Sequence, residues 1–350
     1  MKEFSMSKEL LLNEIYEQPV VIESLLKYEK NNIQKIISQL KDRFNYIIIA
    51  ARGTSDNAAR YAQYLFGAHN SIQVALATPS LFTLYQKPPN MSGALVIGIS
   101  QSGQSPDIVS VLREAKKQAR PTLSITNELD SPLAKVSNFC IPLHIGKELA
   151  TAATKSYTSS LVSLAVFSSI LNSNKSLISE LDRLPEQIHL TINMSSEKMK
   201  NVQRYRYMED IVVIGRGFNY ATAFEIALKV KELTRVVAVA YSSADFRHGP
   251  IATVHSGFPL IIIAPSGATS MDIKEFIQKV DALGAELIVI SNQKELLKIS
   301  PLPFEIPSIS EWLTPILCVV PGQMFARQLA IEKRFNPDHP EGLTKVTETF

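Results

Sequence analysis

The sequence predicts an α/β protein with two tandem doubly wound αβα sandwich domains, each containing a mainly parallel five-stranded sheet. The chain has 350 residues, and a single hydrophobic core rarely grows beyond about 250 to 300 residues, so two domains are expected. Short apolar runs alternate with amphipathic helical stretches, as in parallel sheets covered by helices on both faces. The two halves of the chain also resemble each other, which indicates a repeated domain.

The chain opens with a helical lead-in, which we assign to residues 1–44. Apolar residues recur there at helical spacing, and Pro19 predicts an interruption because proline lacks the amide hydrogen that a helix interior needs. The apolar positions are Leu10, Leu11, Ile15, Val21, Ile22, Leu25, Leu26, Ile33, Ile36, Ile37 and Leu40.

Buried strands follow the lead-in as short runs rich in Ile, Val and Leu. Runs of this length without strict alternation fit strands that are buried on both faces. The predicted strands are 46–50, 74–77, 95–99, 121–125, 211–214, 260–264 and 287–290.

An internal repeat supports the two-domain interpretation. The segment YIIIAARGTSDNAARYA resembles IVVIGRGFNYATAFEIA at an offset of 164 residues, and two further strand ends align near the same offset. The aligned pairs are Arg52-Gly53 with Arg216-Gly217, Ser102-Gly103 with Ser266-Gly267, and Asn127 with Asn292. We therefore predict two copies of one domain, at 30–180 and 200–335, joined by a helical stretch, with residues 336–350 as a wrapping C-terminal tail.

Composition excludes several function classes. There are 36 basic and 33 acidic side chains and no long basic block, so we expect no nucleic-acid or membrane partner. No signal peptide and no apolar run of about 18 residues is present, which predicts a cytoplasmic protein. Cys140 and Cys318 lie in apolar runs without metal-ligand or redox spacing, so we read both as core residues and expect neither a metal nor a cofactor.

The loop Ser100–Ser105 is the first candidate for chemistry. It follows an apolar strand and opens a helix, a position where backbone amides stabilise anions. Ser105 could simply cap the helix, but capping needs one hydroxyl, whereas this loop offers Ser100, Ser102 and Ser105 together with Gln101. This surplus favours phosphate binding. Thr54 and Ser55, after the preceding strand, would bring two more hydroxyls to the same edge, although they too could serve as caps.

Glu225, Lys229 and Glu232 form the second candidate group. Their i, i+4, i+7 spacing places them on one helix face. Two carboxylates around an ammonium could supply a general base that moves a proton between neighbouring carbons of a substrate. Spacing alone, however, favours a solvated ladder of ion pairs.

His248 and Lys345 are weaker candidates by themselves. His248 lies in a turn with no regular period, where an imidazole could act as acid or base, although a lone histidine is more often structural. Lys345 would be a solvated tail lysine, unless its amine reaches a carbonyl and forms a Schiff base.

These motifs together resemble the double sugar-isomerase (SIS) domain family, in particular the isomerase half of glucosamine-6-phosphate synthase and its stand-alone relatives, which include glucosamine-6-phosphate deaminases. The resemblance runs from Glu14 to the tail. It is carried by RGTS at 52–55, SQSG at 100–103, the segment 148–155 ending in Ala-Thr-Lys, ALKVKE at 227–232, HGP at 248–250 and LTKVT at 343–347.

The resemblance assigns a role to each candidate. It implies that Thr54, Ser55, Ser100, Gln101, Ser102, Ser105 and Thr151 bind the phosphate and hydroxyls of a sugar phosphate. It implies that Glu232 is the base acting between C1 and C2, supported by Glu225 and Lys229. His248 would assist ring opening from the neighbouring subunit, which predicts a homodimer with shared active sites, and Lys345 would contact the ketose carbonyl or form its imine.

The reaction expected from the resemblance is the conversion of glucosamine 6-phosphate into fructose 6-phosphate and ammonia. Synthases of this family carry an N-terminal glutaminase domain with a cysteine nucleophile, whereas this chain starts at the lead-in and neither cysteine is terminal. We therefore expect no glutaminase activity. Glu341-Gly342-Leu343-Thr344-Lys345 replaces the usual Arg-Asn-Leu-Ala-Lys, and Arg247 replaces a usual lysine, so the substrate stays open.

Three alternatives remain. The first is a deglycase or isomerase acting on another amine-linked sugar phosphate, such as a fructosamine 6-phosphate or galactosamine 6-phosphate. The second is the isomerase part of an isomerising glutamine–fructose-6-phosphate aminotransferase. The third is a non-catalytic sugar-phosphate sensor, which should lose the acid–base set that this chain retains.

Overall fold

The computed structural model describes residues 9–345 and contains two parallel five-stranded sheets. The strand order is β2-β1-β3-β4-β5 in the first sheet and β10-β9-β8-β6-β7 in the second. The strands are β1 Tyr46–Ala50, β2 Val74–Leu76, β3 Ala94–Ile99, β4 Thr122–Thr126, β5 Phe139–Pro142, β6 Asp210–Gly215, β7 Val237–Ser242, β8 Pro259–Ile263, β9 Glu286–Ser291 and β10 Leu302–Glu305.

Helices cover the sheets, which explains the nearly continuous apolar runs of the central strands. All residues of β3 and β4 are buried, as expected where both sheet faces are packed. The helices are α1 Leu10–Leu40, α2 Gly53–Asn70, α3 Ser80–Thr83, α4 Pro106–Lys117, α5 Pro132–Val136, α6 Lys155–Leu171, α7 Lys175–Leu181, α8 Leu184–Ser196, α9 Tyr220–Thr234, α10 Ser243–Arg247, α11 Ser270–Ala282, α12 Lys294–Leu297 and α13 Thr314–Glu332. None of those within residues 9–345 has the length and apolar character needed to cross a membrane.

The internal repeat is visible in the topology. Counted within its own half, each sheet has the order 2-1-3-4-5, and all its pairings are parallel. This is a doubly wound order in which the chain direction across the sheet reverses between the first and third strands. The predicted fold class is confirmed.

Helix α1 differs from its prediction, because it continues through Pro19. A proline at position 19 cannot donate to the carbonyl of Ile15 four residues earlier. The side chain of Gln18 supplies that donor instead, with Nε2 at 3.0 Å from Ile15 O. Gln18 is fully buried and also donates to Gln323 Oε1 at 3.0 Å. The carbonyl of Ile15 therefore stays hydrogen-bonded although Pro19 removes its usual backbone donor.

The chain divides into two compact units. The cradle unit contains residues 20–148 and 155–185 and the described residues from Thr344 on. The helix unit contains the described residues up to Pro19 together with 149–154 and 186–343. Each has a core of its own, packed around β3 and α4 in the cradle unit and around β8 and α11 in the helix unit.

Candidate active site

The serine-rich loop Ser100–Ser105 connects β3 to α4 in the cradle unit. Ser100 is buried, and its hydroxyl accepts a hydrogen bond from Gly103 N at 3.1 Å while lying 3.5 Å from Ser105 Oγ. Ser105 occupies the N-cap position of α4, but its side chain makes no capping hydrogen bond. The hydroxyl is therefore not engaged as a simple cap, which favours a role in ligand binding.

Gly103 lets this loop fold tightly. Its φ of +62° favours glycine, and a Cβ there would lie 2.2 Å from Ser131 Oγ. Gln101, Ser102 and Ser105 remain partly exposed around it. The loop therefore presents polar side chains at the start of a 12-residue helix, the kind of position that stabilises an oxyanion.

Thr54 and Ser55, in the first turn of α2, lie at the same edge of the first sheet. β1 and β3 are adjacent and parallel, with Ala50 opposite Gly98, so the segments that follow them leave the same edge. The reversal of strand order also falls between these strands, where doubly wound proteins bind ligands. Arg52 Nε donates to Asp107 Oδ2 at 2.7 Å, which joins the N-terminal ends of α2 and α4.

Helix α9 carries the predicted acid–base residues Glu225, Lys229 and Glu232 in the helix unit. Lys229 Nζ lies 3.5 Å from Glu225 Oε1 and donates to Glu232 Oε2 at 2.5 Å. The side chains of Glu225 and Lys229 are 0% and 1% exposed, whereas that of Glu232 is 24% exposed. The solvated ladder suggested by spacing alone is therefore wrong: two members of the group are buried and hold a third, partly exposed carboxylate.

His248 follows α10 and is exposed, with its amide bonded to Asp245 O at 3.1 Å. The neighbouring Arg247 is engaged elsewhere: its Nη1 donates to Asp272 Oδ1 and its Nη2 to Asp272 O at 2.7 Å. Burial raises the pKa of Asp272, but hydrogen bonds from Ser243 and Arg247 and the charges of Arg247 and Arg216 outweigh burial and lower it. Arg247 therefore acts as an anchor for this turn.

Lys345 belongs to the cradle unit, where its Nζ donates to Glu148 Oε2 at 3.1 Å. The Glu148 side chain is 0% exposed and also accepts hydrogen bonds from Ser156 N at 3.1 Å and Ser156 Oγ at 2.9 Å. Lys345 is thus held at a fixed position and is not a freely solvated tail lysine. Residues 346 and 347 of the LTKVT motif lie outside the described residues.

The predicted site residues are distributed between the two units. Thr54, Ser55, Ser100, Gln101, Ser102, Ser105 and Lys345 belong to the cradle unit, and Thr151, Glu225, Lys229, Glu232 and His248 belong to the helix unit. Thr151 is partly exposed, and its amide donates to Asp338 O at 3.0 Å.

The sequence analysis missed two buried carboxylates beside these residues. Asp107 holds Arg52, and Glu148 holds Lys345. Asp107 could have been found as the acid in the first turn of α4, but the partner of Glu148 is distant in sequence and gives no local signal.

The two thiols do not join the site. Cys318 is buried as predicted, whereas Cys140 is partly exposed because it lies on the edge strand β5. Burial raises the pKa of both thiols, which disfavours the thiolate. Within residues 9–345, no cluster of three or more His, Cys, Asp or Glu side chains could hold a metal ion.

Comparison with known proteins identifies the fold family. Residues 43–170 and 206–329 match the SIS domain. Glutamine–fructose-6-phosphate aminotransferase (isomerizing) from Pyrococcus horikoshii is 31% identical over 340 residues, which are 96% of this chain and 57% of that protein. The chain thus spans little more than half the length of such relatives.

Solved structures give the same result. The C-terminal domain of glucosamine-fructose-6-phosphate aminotransferase from Francisella tularensis has a TM-score of 0.87 and 26% identity, covering 96% of this chain and 99% of that one. Glucosamine-6-phosphate deaminase from Thermotoga maritima has a TM-score of 0.78 over 97% of this chain and 100% of that one. At 23% identity, this second likeness concerns the fold.

Proposed function

The chain belongs to the SIS domain family, and from this premise we propose that it is a phosphosugar isomerase that converts glucosamine 6-phosphate into fructose 6-phosphate and ammonia. The observation that carries the proposal is the α9 group, in which buried Lys229 holds the partly exposed carboxylate of Glu232. A positioned carboxylate that reaches solvent next to a buried cation suits a general base.

In this proposal the serine-rich loop binds the phosphate. Its hydroxyls and the amides at the start of α4 stabilise the negative charge without a fixed cation. Thr54 and Ser55 add hydroxyls from the neighbouring strand end.

Glu232 then moves the proton. It takes the proton from C2 of the open-chain aldehyde and returns it to C1. The aldehyde oxygen gains a proton and the amine nitrogen loses one, which leaves a hydroxyl at C1 and an imine at C2. Water adds to that imine and ammonia leaves, giving the ketose. The ammonium of Lys229, which donates to Glu232 Oε2, holds this carboxylate in place for the transfer.

Lys345 and His248 complete the assignment. The Lys345 amine contacts the C2 carbonyl of the ketose or forms its imine, with Glu148 keeping the amine in place. His248, exposed at the end of α10, assists ring opening in the active site of a partner subunit, so the proposed state is a homodimer.

The test is the release of ammonia and fructose 6-phosphate from glucosamine 6-phosphate by the purified chain, beside Glu232→Gln. This substitution keeps the size of the side chain and removes the base, so kcat should fall by about 10²- to 10⁴-fold. Glu275→Gln, which changes an exposed carboxylate on α11, should turn over at the wild-type rate.

Other outcomes would redirect the proposal. Turnover of a fructosamine or galactosamine 6-phosphate in place of glucosamine 6-phosphate would change the substrate and keep the mechanism. Binding of sugar phosphates without any turnover would contradict enzyme function and favour a sensor.

A further inference from the structure

The second repeat has its own counterpart of the serine-rich loop, at residues 265–270. It follows β8 and opens α11, just as the serine-rich loop follows β3 and opens α4. β8 and β3 also occupy the same place in their sheets, between the first and fourth strands of each repeat. Each chain therefore contains two loops that connect the third strand of a repeat to the helix after it.

A carboxylate of the chain itself lies in the second loop. Glu311 Oε2 accepts a hydrogen bond from Ala268 N at 2.7 Å, and Glu311 Oε1 accepts one from Thr269 Oγ1 at 3.0 Å and a longer one from Thr269 N at 3.4 Å. Two backbone amides and one hydroxyl at the start of a 13-residue helix therefore already bind an oxyanion.

Gly267 gives this carboxylate room to enter. A Cβ at position 267 would lie 2.2 Å from Glu311 Cδ, closer than any real contact allows. Its φ of +152° is also one that glycine favours. The loop and the carboxylate therefore fit each other closely.

Within residues 9–345, the serine-rich loop has no carboxylate at the position that Glu311 occupies in loop 265–270. At the repeat offset, Ala268 and Thr269 correspond to Gln104 and Ser105. Gln104 N has only a 3.3 Å bond to Ser102 Oγ, and no residue in the described part of the chain accepts a hydrogen bond from Ser105 N.

In the first repeat, the acidic side chain of the corresponding segment has other partners. Glu311 lies between the last strand and last helix of its repeat, and Glu148 lies in the matching segment between β5 and α6. Glu148, however, binds Ser156 and Lys345. The two repeats therefore differ in where one acidic side chain is placed.

We propose that loop 265–270 is an anion-binding site whose resident ligand is Glu311, and that this carboxylate closes the second repeat to phosphate. A carboxylate and a phosphate monoester are both oxyanions that the same amides and hydroxyl can bind. An intramolecular ligand also has a high effective concentration, on the order of millimolar or above, so it excludes weakly bound free phosphate. Removing the Glu311 carboxylate then creates a second phosphate site.

The experiment measures the number of inorganic phosphate ions bound per chain, by equilibrium dialysis, for the wild type, Glu311→Ala and Glu295→Ala. Glu295 is an exposed carboxylate of the same unit, so its removal changes net charge equally and should add no site. Glu311→Ala should bind one more phosphate than the wild type. Amide NMR signals of Ala268 and Thr269 should shift with phosphate in this variant and stay unchanged in the wild type.

The gain of one site is independent of the proposed function. If the serine-rich loop binds phosphate, the count rises from one to two, and if it does not, the count rises from zero to one. Only the number of phosphate ions bound by the wild type therefore tests the proposed function.

Two results would overturn the inference: a folded Glu311→Ala that binds no additional phosphate, or a wild type in which Ala268 and Thr269 already respond to it. If Glu311→Ala fails to fold, Glu311→Gln takes its place. Its neutral amide keeps an acceptor for the loop but competes less well with a dianion, so the same additional site should appear with weaker affinity.

Discussion

Lys229 is a buried cation held between two carboxylates of its own helix, and this arrangement predicts a large stability effect. Lys229→Met keeps an unbranched side chain, one heavy atom shorter, but leaves the fully buried Glu225 without this counter-charge. Breaking a buried ion pair from one side typically costs about 3 to 5 kcal/mol. The free energy of unfolding, measured with urea by circular dichroism, should fall by that amount.

Lys231 provides the matched control on the same helix, since its side chain is exposed. Lys231→Met should change the free energy of unfolding by no more than about 0.5 kcal/mol. Equal stabilities of the two variants would mean that Glu225 is not charged in the folded protein and that the α9 group is not an ion-paired triad.

The sequence predicted which site residues lie together only where those residues are close to each other along the chain. The spacing of Glu225, Lys229 and Glu232 fixes their common helix face, although burial, which decides against a solvated ladder, depends on what covers α9. The pairing of Lys345 with Glu148 joins residues 197 positions apart. No spacing rule reports such a contact, because it depends on where the tail folds.

At the scale of elements, α13 packs against α9 through a glycine. A Cβ at Gly322 would lie 2.3 Å from Ile226 Cγ1, and Ile226 is fully buried. Gly322→Ala should therefore destabilise the protein by about 1 to 3 kcal/mol through overpacking. The midpoint of urea unfolding would fall accordingly.

Gly67 offers the opposite expectation for the same substitution. It lies within helix α2, and a Cβ there would meet nothing within 4 Å. Gly67→Ala should raise the free energy of unfolding by about 0.5 to 1 kcal/mol, because alanine loses less backbone entropy than glycine in a helix. If both variants shifted stability in the same direction, close packing of α13 on α9 would not explain the first result.

Elements were predictable where burial is complete. The central strands β1, β3, β4, β6, β8 and β9 stood out as apolar runs. The strands missed by the sequence analysis, β5, β7 and β10, all lie at sheet edges. The fourth edge strand, β2, was predicted from its short apolar run although none of its residues is buried. Edge strands are covered less fully, as in β7, where exposed Val237 and Val239 alternate with buried Ala238, so the continuous apolar signal is lost.

At the scale of the whole molecule, the two repeats share their strand order but differ in the contacts of their loops before α4 and α11. An Arg–Asp pair recurs in both repeats, with Arg52 bonded to Asp107 and Arg216 lying 3.9 Å from Asp272. The repeat and the two-sheet fold were readable from the sequence because the strand ends align. The filling of the second loop by Glu311 was not, since it depends on the path of the chain between β10 and α13.

The proposed homodimer with shared active sites makes a prediction that only the assembled molecule can meet. Glu232→Gln and His248→Ala should each be nearly inactive alone. In a mixed dimer, one active site would combine both defects and the other would have neither. Because random pairing makes half of the dimers mixed in a symmetric two-fold assembly, co-expression of the two variants should restore about a quarter of wild-type activity.

Light scattering after size-exclusion chromatography supplies the oligomeric state for the same samples. The control co-expresses Glu232→Gln with Lys229→Met, whose defects lie on one helix of the same subunit, so every active site stays defective and no activity should return. If the Glu232→Gln and His248→Ala mixture also stayed inactive while dimers formed, each site would draw both residues from one chain. His248 would then act within its own subunit, and its exposure at the end of α10 would have no connection with a partner.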